Sequence, residues 1–118
     1  MSEFPVTTLN GYQMAALSTW QRRKIMDVVP AYVYPALGLA GETGEVLEKV
    51  KKLVRDKNGL NTAFDRHGIA LELGDVFWYL CVLADEFGYS LEEIASLNIE
   101  KITRRKEAGT IAGSGDDR

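Results

Sequence analysis

Two short acidic motifs with the same spacing are the residues most suited to chemistry in this chain. Glu42 and Glu45 are three positions apart in GETGEVLEK, and Glu72 and Asp75 have the same spacing in LELGDVFWY. Residues three apart on an α-helix project from one side, so each motif would present two carboxylates together. Carboxylate oxygens are the ligands that Mg²⁺ and Mn²⁺ prefer. The two motifs therefore indicate a candidate site for a hard divalent cation.

The surroundings of the two motifs are also alike. An offset of thirty residues aligns GLAGETGEVLEKVKKLV with GIALELGDVFWYLCVLA, and each acidic pair borders an apolar stripe, near Val46 and Val76 respectively. If the two helices pack as antiparallel neighbours, all four carboxylates converge beside the interface. Clustered and partly buried anions are costly to ionise, so the site requires a compensating positive charge.

Other metal chemistries are poorly supported. Cys81 is the only cysteine and lies in an apolar run, which predicts a buried packing residue. A single cysteine excludes an intrachain disulfide and gives no support to a cysteine-based zinc site. His67 is the only histidine, and the residue three positions before it is Phe64. The Glu-x-x-His motif of di-iron helical bundles is therefore absent.

Glycine and proline positions divide the chain into four predicted helices. Thr7 and Thr8 are candidate N-caps of the first, and Ser90 with Glu93 forms a predicted capping box before the fourth. Strand-like alternation is lacking, so the sequence predicts an all-α, four-helix bundle-like fold. The four predicted helices span residues 9–26, 34–55, 62–87 and 91–108.

Composition sets the class of protein. With 118 residues the chain is predicted to form a single domain, residues 1–118, ending in a glycine-rich tail at 109–118. The net charge of −3 argues against binding of long nucleic acid. We expect a cytoplasmic protein without a membrane span, since neither a signal peptide nor a long uninterrupted apolar run is evident.

The third predicted helix is apolar on nearly every side. Phe77 and Leu80 fall on one broad stripe, whereas Trp78 and Cys81 fall largely on the other side. Such a helix must be covered nearly all round, and a chain of this size supplies only part of the cover. We therefore expect a homodimer or homotetramer, with Trp78 in the core or the interface.

The phrases GETGEVLEKVKKL, ELGDVFWYL and NIEKITRR resemble the MazG-like branch of the all-α nucleoside triphosphate pyrophosphohydrolase superfamily, over roughly residues 9–118. The resemblance implies Mg²⁺-dependent cleavage of a nucleoside triphosphate between the α and β phosphates, for clearing or adjusting nucleotide pools, with Mn²⁺ as a possible substitute. It also implies that Glu42, Glu45, Glu72 and Asp75 bind the metal. Glu42 or Glu45 would accept a proton from the attacking water, which the metal makes more acidic.

The resemblance further implies substrate contacts from several helices. Asn98, Lys101 and Arg105 match family positions that meet the phosphate chain, and their spacing places them on one face of the last helix. Lys49 is expected either to pair with the acids or to meet phosphate. Tyr79, one turn after Asp75, is expected to contact the base or sugar. Gln13 matches a family position near the substrate pocket.

Alternatives to this function, and two arrangements of the tail, are also compatible with the sequence. A helical dimer without catalytic activity, holding a metal or a basic partner peptide in its acidic groove, is an alternative function. Relatives acting on phosphoribosyl-ATP or on dUTP are alternatives within the superfamily. The composition of the tail, GTIAGSGDDR, is typical of a frayed terminus. The alternative is a tail folded over a neighbour's active site, with Arg118 or the glycine amides near phosphate.

Overall fold

The structure is a computed structural model that describes residues 6–110 and 112–116; Arg118 lies outside them. The all-α prediction is confirmed, and the described residues contain no strand. The chain forms five helices, namely α1 (Leu9–Leu17), α2 (Arg22–Met26), α3 (Val33–Lys57), α4 (Ala63–Glu86) and α5 (Leu91–Ala108).

The first predicted helix is wrong in one respect, because it is two helices joined by a turn. The hydroxyl groups of Ser18 and Thr19 donate to carbonyls of the preceding turn at 2.6 Å, which closes α1. Trp20 and Arg22 then donate to the carboxylate of Glu86 at 3.2 and 2.8 Å. These long-range hydrogen bonds to the end of α4 favour the turn over a continuous helix.

Helices α3 and α4 form an antiparallel hairpin and make the most extensive contact in the fold. The connection reverses at Asn58 and Gly59, which both adopt positive φ, 53° and 79°. Thr62 and Asp65 then form a capping box that starts α4. The two helices that carry the acidic motifs are thus antiparallel neighbours, the arrangement that would bring their carboxylates together.

A small core joins α1, α4 and α5. Its buried members are Ala16, Cys81, Ala84 and Leu91. The predicted burial of Cys81 is confirmed, and burial raises the pKa of its thiol to about 11. The predicted capping box of Ser90 and Glu93 starts α5, which packs against α1 and α4.

Large apolar side chains nevertheless remain uncovered on three of the helices. The following are each more than half exposed: Leu37, Leu47, Val54, Phe64, Leu71, Leu73, Leu97 and Ile99. Helix α4 is also long and apolar enough, with a mean hydropathy of 1.3, to meet the length and composition of a membrane span, and only 17% of that window is buried. A single chain therefore leaves much of its apolar surface facing outward.

Candidate active site

Three carboxylates meet where α3 faces α4. Glu42 of α3 and Glu72 and Asp75 of α4 each place one oxygen within 4.8 Å of the others. Glu42 and Glu72 are partly buried, and Asp75 is exposed. The helical spacing puts Glu72 and Asp75 on one side of α4, and the hairpin brings that side against Glu42. The donor set consists only of oxygen atoms, which fits Mg²⁺ or Mn²⁺ better than zinc.

The electrostatics of this cluster favour a cation. Desolvation raises the pKa of Glu42 most, followed by the negative charges of Asp75, Glu72 and Glu45. Each of these effects disfavours the ionised form of the carboxyl group. A bound divalent cation would reverse the balance by offsetting the repulsion.

Glu45 stands apart from the other three acids. It is exposed and does not belong to the group within 4.8 Å. It is close enough for its charge to raise the pKa of Glu42. The structure thus brings together three of the four predicted metal ligands and leaves the fourth beside them.

Lys49 follows the carboxylates toward the hairpin turn. Its Nζ lies 3.4 Å from an oxygen of Glu72, so it pairs with one of the acids. It also lines a cavity of about 170 Å³ between the two helices, with Lys52, Lys57 and Phe64. Lys49 therefore supplies positive charge between the carboxylates and this cavity.

Tyr79 borders the carboxylates on the opposite side from Lys49. Its ring lies against the backbone of Gly38, one turn before Glu42. Burial, a hydrogen bond with Tyr34 and nearby negative charge, including that of Asp75, raise the pKa of the Tyr79 phenol to about 12. The phenol therefore stays protonated at neutral pH and can donate a hydrogen bond.

The predicted phosphate-binding residues lie on α5, where Lys101 and Arg105 pair with the tail rather than with the three clustered carboxylates. Asn98 is exposed one turn before Lys101. The Nζ of Lys101 and the Nη2 of Arg105 both lie 3.0 Å from an oxygen of Asp116 in the tail. Gly115 and Asp116 thus contact α5, in contrast to the frayed end predicted from composition.

Comparison with known sequences places the chain in a family. A model of the MazG nucleotide pyrophosphohydrolase domain matches residues 35–110, a segment that includes the three carboxylates and α5. The chain belongs to the MazG family. It is 40% identical over 109 residues to the Gene 37 protein of Mycobacterium phage L5, across 91% of this chain and 96% of that protein. No solved structure gives a match. The family predicted from the sequence is confirmed.

Helix α1 precedes the segment matched to the MazG model yet is tied into the domain by Gln13. Its side-chain amide donates to the carbonyls of Cys81 and Tyr89, both at 3.3 Å, and its oxygen accepts from the N–H of Leu91 at 2.9 Å. Gln13 is only 6% exposed. Its amide therefore joins three helices, and this geometry gives no support to the predicted substrate contact.

Sequence reasoning missed the aromatic residues that surround Tyr79 in this MazG domain. The Tyr34 ring centroid is 6.1 Å from that of Tyr79, and Trp20 is 5.7 Å from Tyr34. Trp78, predicted for the core or interface, contacts Tyr79 edge-on at 5.0 Å and donates to the Thr19 hydroxyl. The sequence pattern offered little signal for this aromatic group, because the group depends on the turn between α1 and α2.

Proposed function

We propose that this protein is a Mg²⁺-dependent nucleoside triphosphate pyrophosphohydrolase that cleaves its substrate between the α and β phosphates. The observation that carries the proposal is the convergence of Glu42, Glu72 and Asp75 within 4.8 Å, inside a segment that matches the MazG nucleotide pyrophosphohydrolase domain. The products would be a nucleoside monophosphate and pyrophosphate. Clearing or adjusting nucleotide pools is the physiological role that we propose.

The three clustered carboxylates are the proposed metal ligands. A bound Mg²⁺, or Mn²⁺ in its place, would offset negative charge on the phosphate oxygens. Glu45 is then the carboxylate free to accept a proton from the attacking water, since it lies outside the cluster. Glu42 is the alternative base, but coordination would engage its lone pairs. The division of the acids favours Glu45.

Recognition of the substrate is proposed to use both ends of the carboxylate site. Lys49 lies on one side, where its ammonium group can meet phosphate. Tyr79 and Tyr34 lie on the other side, and aromatic rings of this kind stack on nucleobases. Lys101 and Arg105, with Asn98, are proposed to bind the phosphate chain from α5.

A homodimer or homotetramer is proposed as the active form. The apolar side chains left exposed on α3, α4 and α5 are numerous enough to require cover. A second copy would provide it, and α4 would then be a core helix rather than a membrane span, in keeping with its internal Glu72 and Asp75. Light scattering on protein purified without detergent tests this, and a stable monomer would contradict it.

A nucleotide panel tests the activity. Canonical and damaged nucleoside triphosphates are incubated with protein and Mg²⁺, and pyrophosphate is measured. Hydrolysis in ¹⁸O-water shows which product receives the oxygen, and a single label in either the monophosphate or the pyrophosphate fixes α–β cleavage. EDTA and Asp75→Asn should each abolish turnover.

Two results would overturn the proposal. Release of orthophosphate and a nucleoside diphosphate would place cleavage between the β and γ phosphates instead. Binding of Mn²⁺ without turnover of any nucleotide would instead support a metal-binding helical module.

A further inference from the structure

The C-terminal tail folds back onto the helix that it follows. Helix α5 is capped by Gly109, whose φ of 70° reverses the chain. Asp116 then accepts hydrogen bonds from Lys101 and Arg105, both at 3.0 Å. The Nη2 of Arg105 also donates to the carbonyl of Gly115 at 2.9 Å. The Asp116 carboxylate thus forms ion pairs with two cationic side chains of α5.

These two cations are the ones proposed above to bind the phosphate chain. A carboxylate and a phosphate present similar anionic oxygens to lysine and arginine. Arg105 is only 8% exposed, so there is little room for a phosphate beside the Asp116 carboxylate. An incoming phosphate group must therefore replace Asp116 on Arg105.

We propose that Asp116 is an internal competitor of the substrate, resting on Lys101 and Arg105 until a polyphosphate displaces it. The proposal rests on the proposed function, because that function assigns the two cations to phosphate. Its consequence is a selection by charge. Anions that bring little negative charge, such as orthophosphate or a nucleoside monophosphate product, gain little by displacing a carboxylate, whereas a tri- or pyrophosphate gains more.

The exposure of the Asp116 carboxylate fits a contact that can be displaced. The Asp116 side chain is 82% exposed, whereas those of Lys101 and Arg105 are 34% and 10% exposed. Water and salt screen the charge of the exposed carboxylate, which weakens its ion pairs. The Nε of Arg105 is buried without a hydrogen-bond partner among the described residues. A phosphate group has enough acceptor oxygens to satisfy both Nη2 and Nε of this guanidinium, which suits the planar fork of arginine.

Binding of inorganic pyrophosphate without divalent metal tests the competition separately from catalysis. Calorimetric titrations in EDTA compare the wild type, Asp116→Asn and Glu107→Gln. Glu107 is exposed on α5 and is not part of the contact between Asp116, Lys101 and Arg105. Its variant therefore controls for the general loss of one negative charge. We expect Asp116→Asn to bind pyrophosphate about two- to fivefold more tightly, the range expected when the ion pairs of one largely exposed carboxylate are removed. Glu107→Gln should bind like the wild type.

The second measurement follows the tail itself. In NMR spectra of the wild type, the amide resonances of Gly115 and Asp116 should move toward the chemical shifts of an unstructured chain as pyrophosphate is added. In Asp116→Asn the resonances of residues 115 and 116 should start near those chemical shifts. Orthophosphate at the same concentration should leave the wild-type resonances in place.

The outcomes separate this inference from the proposed function. Tighter pyrophosphate binding by Asp116→Asn with no nucleotide turnover would uphold the competition and overturn the activity. Nucleotide turnover together with equal pyrophosphate affinities in all three proteins would uphold the proposed activity and overturn the competition. Weaker pyrophosphate binding by Asp116→Asn than by the wild type would overturn the competition, and so would the absence of pyrophosphate binding to both of these proteins. The tail would then be a structural anchor.

Discussion

The ring of Tyr79 occupies the space that a side chain at position 38 would need. A β-carbon added to Gly38 would lie 2.5 Å from Cζ of Tyr79 and still closer to two other ring atoms. Gly38 precedes Glu42 by one turn of α3, and Tyr79 follows Asp75 by one turn of α4. The close contact between glycine and ring thus sets the approach of the two helices beside the carboxylates.

The first prediction follows from this contact. Gly38→Ala should destabilise the protein by about 1–3 kcal/mol, the usual effect of overpacking, and should weaken Mn²⁺ binding because α3 and α4 are pushed apart. Gly41→Ala is the matched control, since a β-carbon there meets no atom within 4 Å. It should be neutral or stabilise the helix by up to about 1 kcal/mol. Denaturant unfolding and Mn²⁺ titration measure both effects, and equal behaviour of the two variants would refute the role of Gly38.

The second prediction separates the acids of the first motif. Glu42→Gln should lose Mn²⁺ affinity because it removes a member of the three-carboxylate cluster. Glu45→Gln should keep that affinity and lower kcat by about 10²–10⁴-fold, the usual contribution of a general base. Glu48→Gln, one turn on and paired with Lys51, should change neither quantity. Loss of Mn²⁺ affinity in Glu45→Gln would make Glu45 a ligand instead.

The third prediction concerns Gln13. Gln13→Leu leaves the buried N–H of Leu91 without its acceptor and should lower the free energy of unfolding by about 1–3 kcal/mol. Because the glutamine's amide nitrogen and oxygen are already engaged by Cys81, Tyr89 and Leu91, KM for the nucleotide should stay unchanged. Gln21→Ala, at an exposed glutamine, should alter stability by no more than about 0.5 kcal/mol. A raised KM in Gln13→Leu with normal stability would restore the substrate contact.

The fourth prediction is a pH dependence at the start of α4. Hydrogen bonds from Lys57 and from the backbone and hydroxyl of Thr62 lower the pKa of Asp65 to about 2. A carboxyl group whose pKa is lower in the folded state stabilises that state above its ordinary value of 3.8, and this contribution is lost as the pH falls toward 2. Asp65→Asn should therefore flatten the fall in unfolding free energy between those values.

Two lysine variants check the cause of that pH dependence. Lys57→Gln removes the largest influence on the Asp65 pKa and should also flatten the profile. Lys24→Gln removes an exposed lysine of α2 and should leave the slope as in the wild type. Urea midpoints measured from pH 2 to pH 5 give the profiles, and parallel curves for Asp65→Asn and the wild type would contradict the assignment.

The sequence by itself determined the features that depend on local spacing. The spacing of Glu72 and Asp75 placed both acids on one side of α4, and Ser90 with Glu93 gave the start of α5. Both follow from helix periodicity and capping, which involve residues within one turn of each other. The acidic motifs together with NIEKITRR on the last helix indicated the MazG family, which the domain match confirmed.

Only the tertiary structure decided which of these residues meet. Glu45 shares a helix side with Glu42, yet the hairpin brings Glu42 alone into the cluster with α4. Lys101 and Arg105 were expected to face phosphate, and Asp116 occupies both. Contacts between distant segments depend on how helices pack and how the chain turns back, and neither is encoded in spacing along one helix.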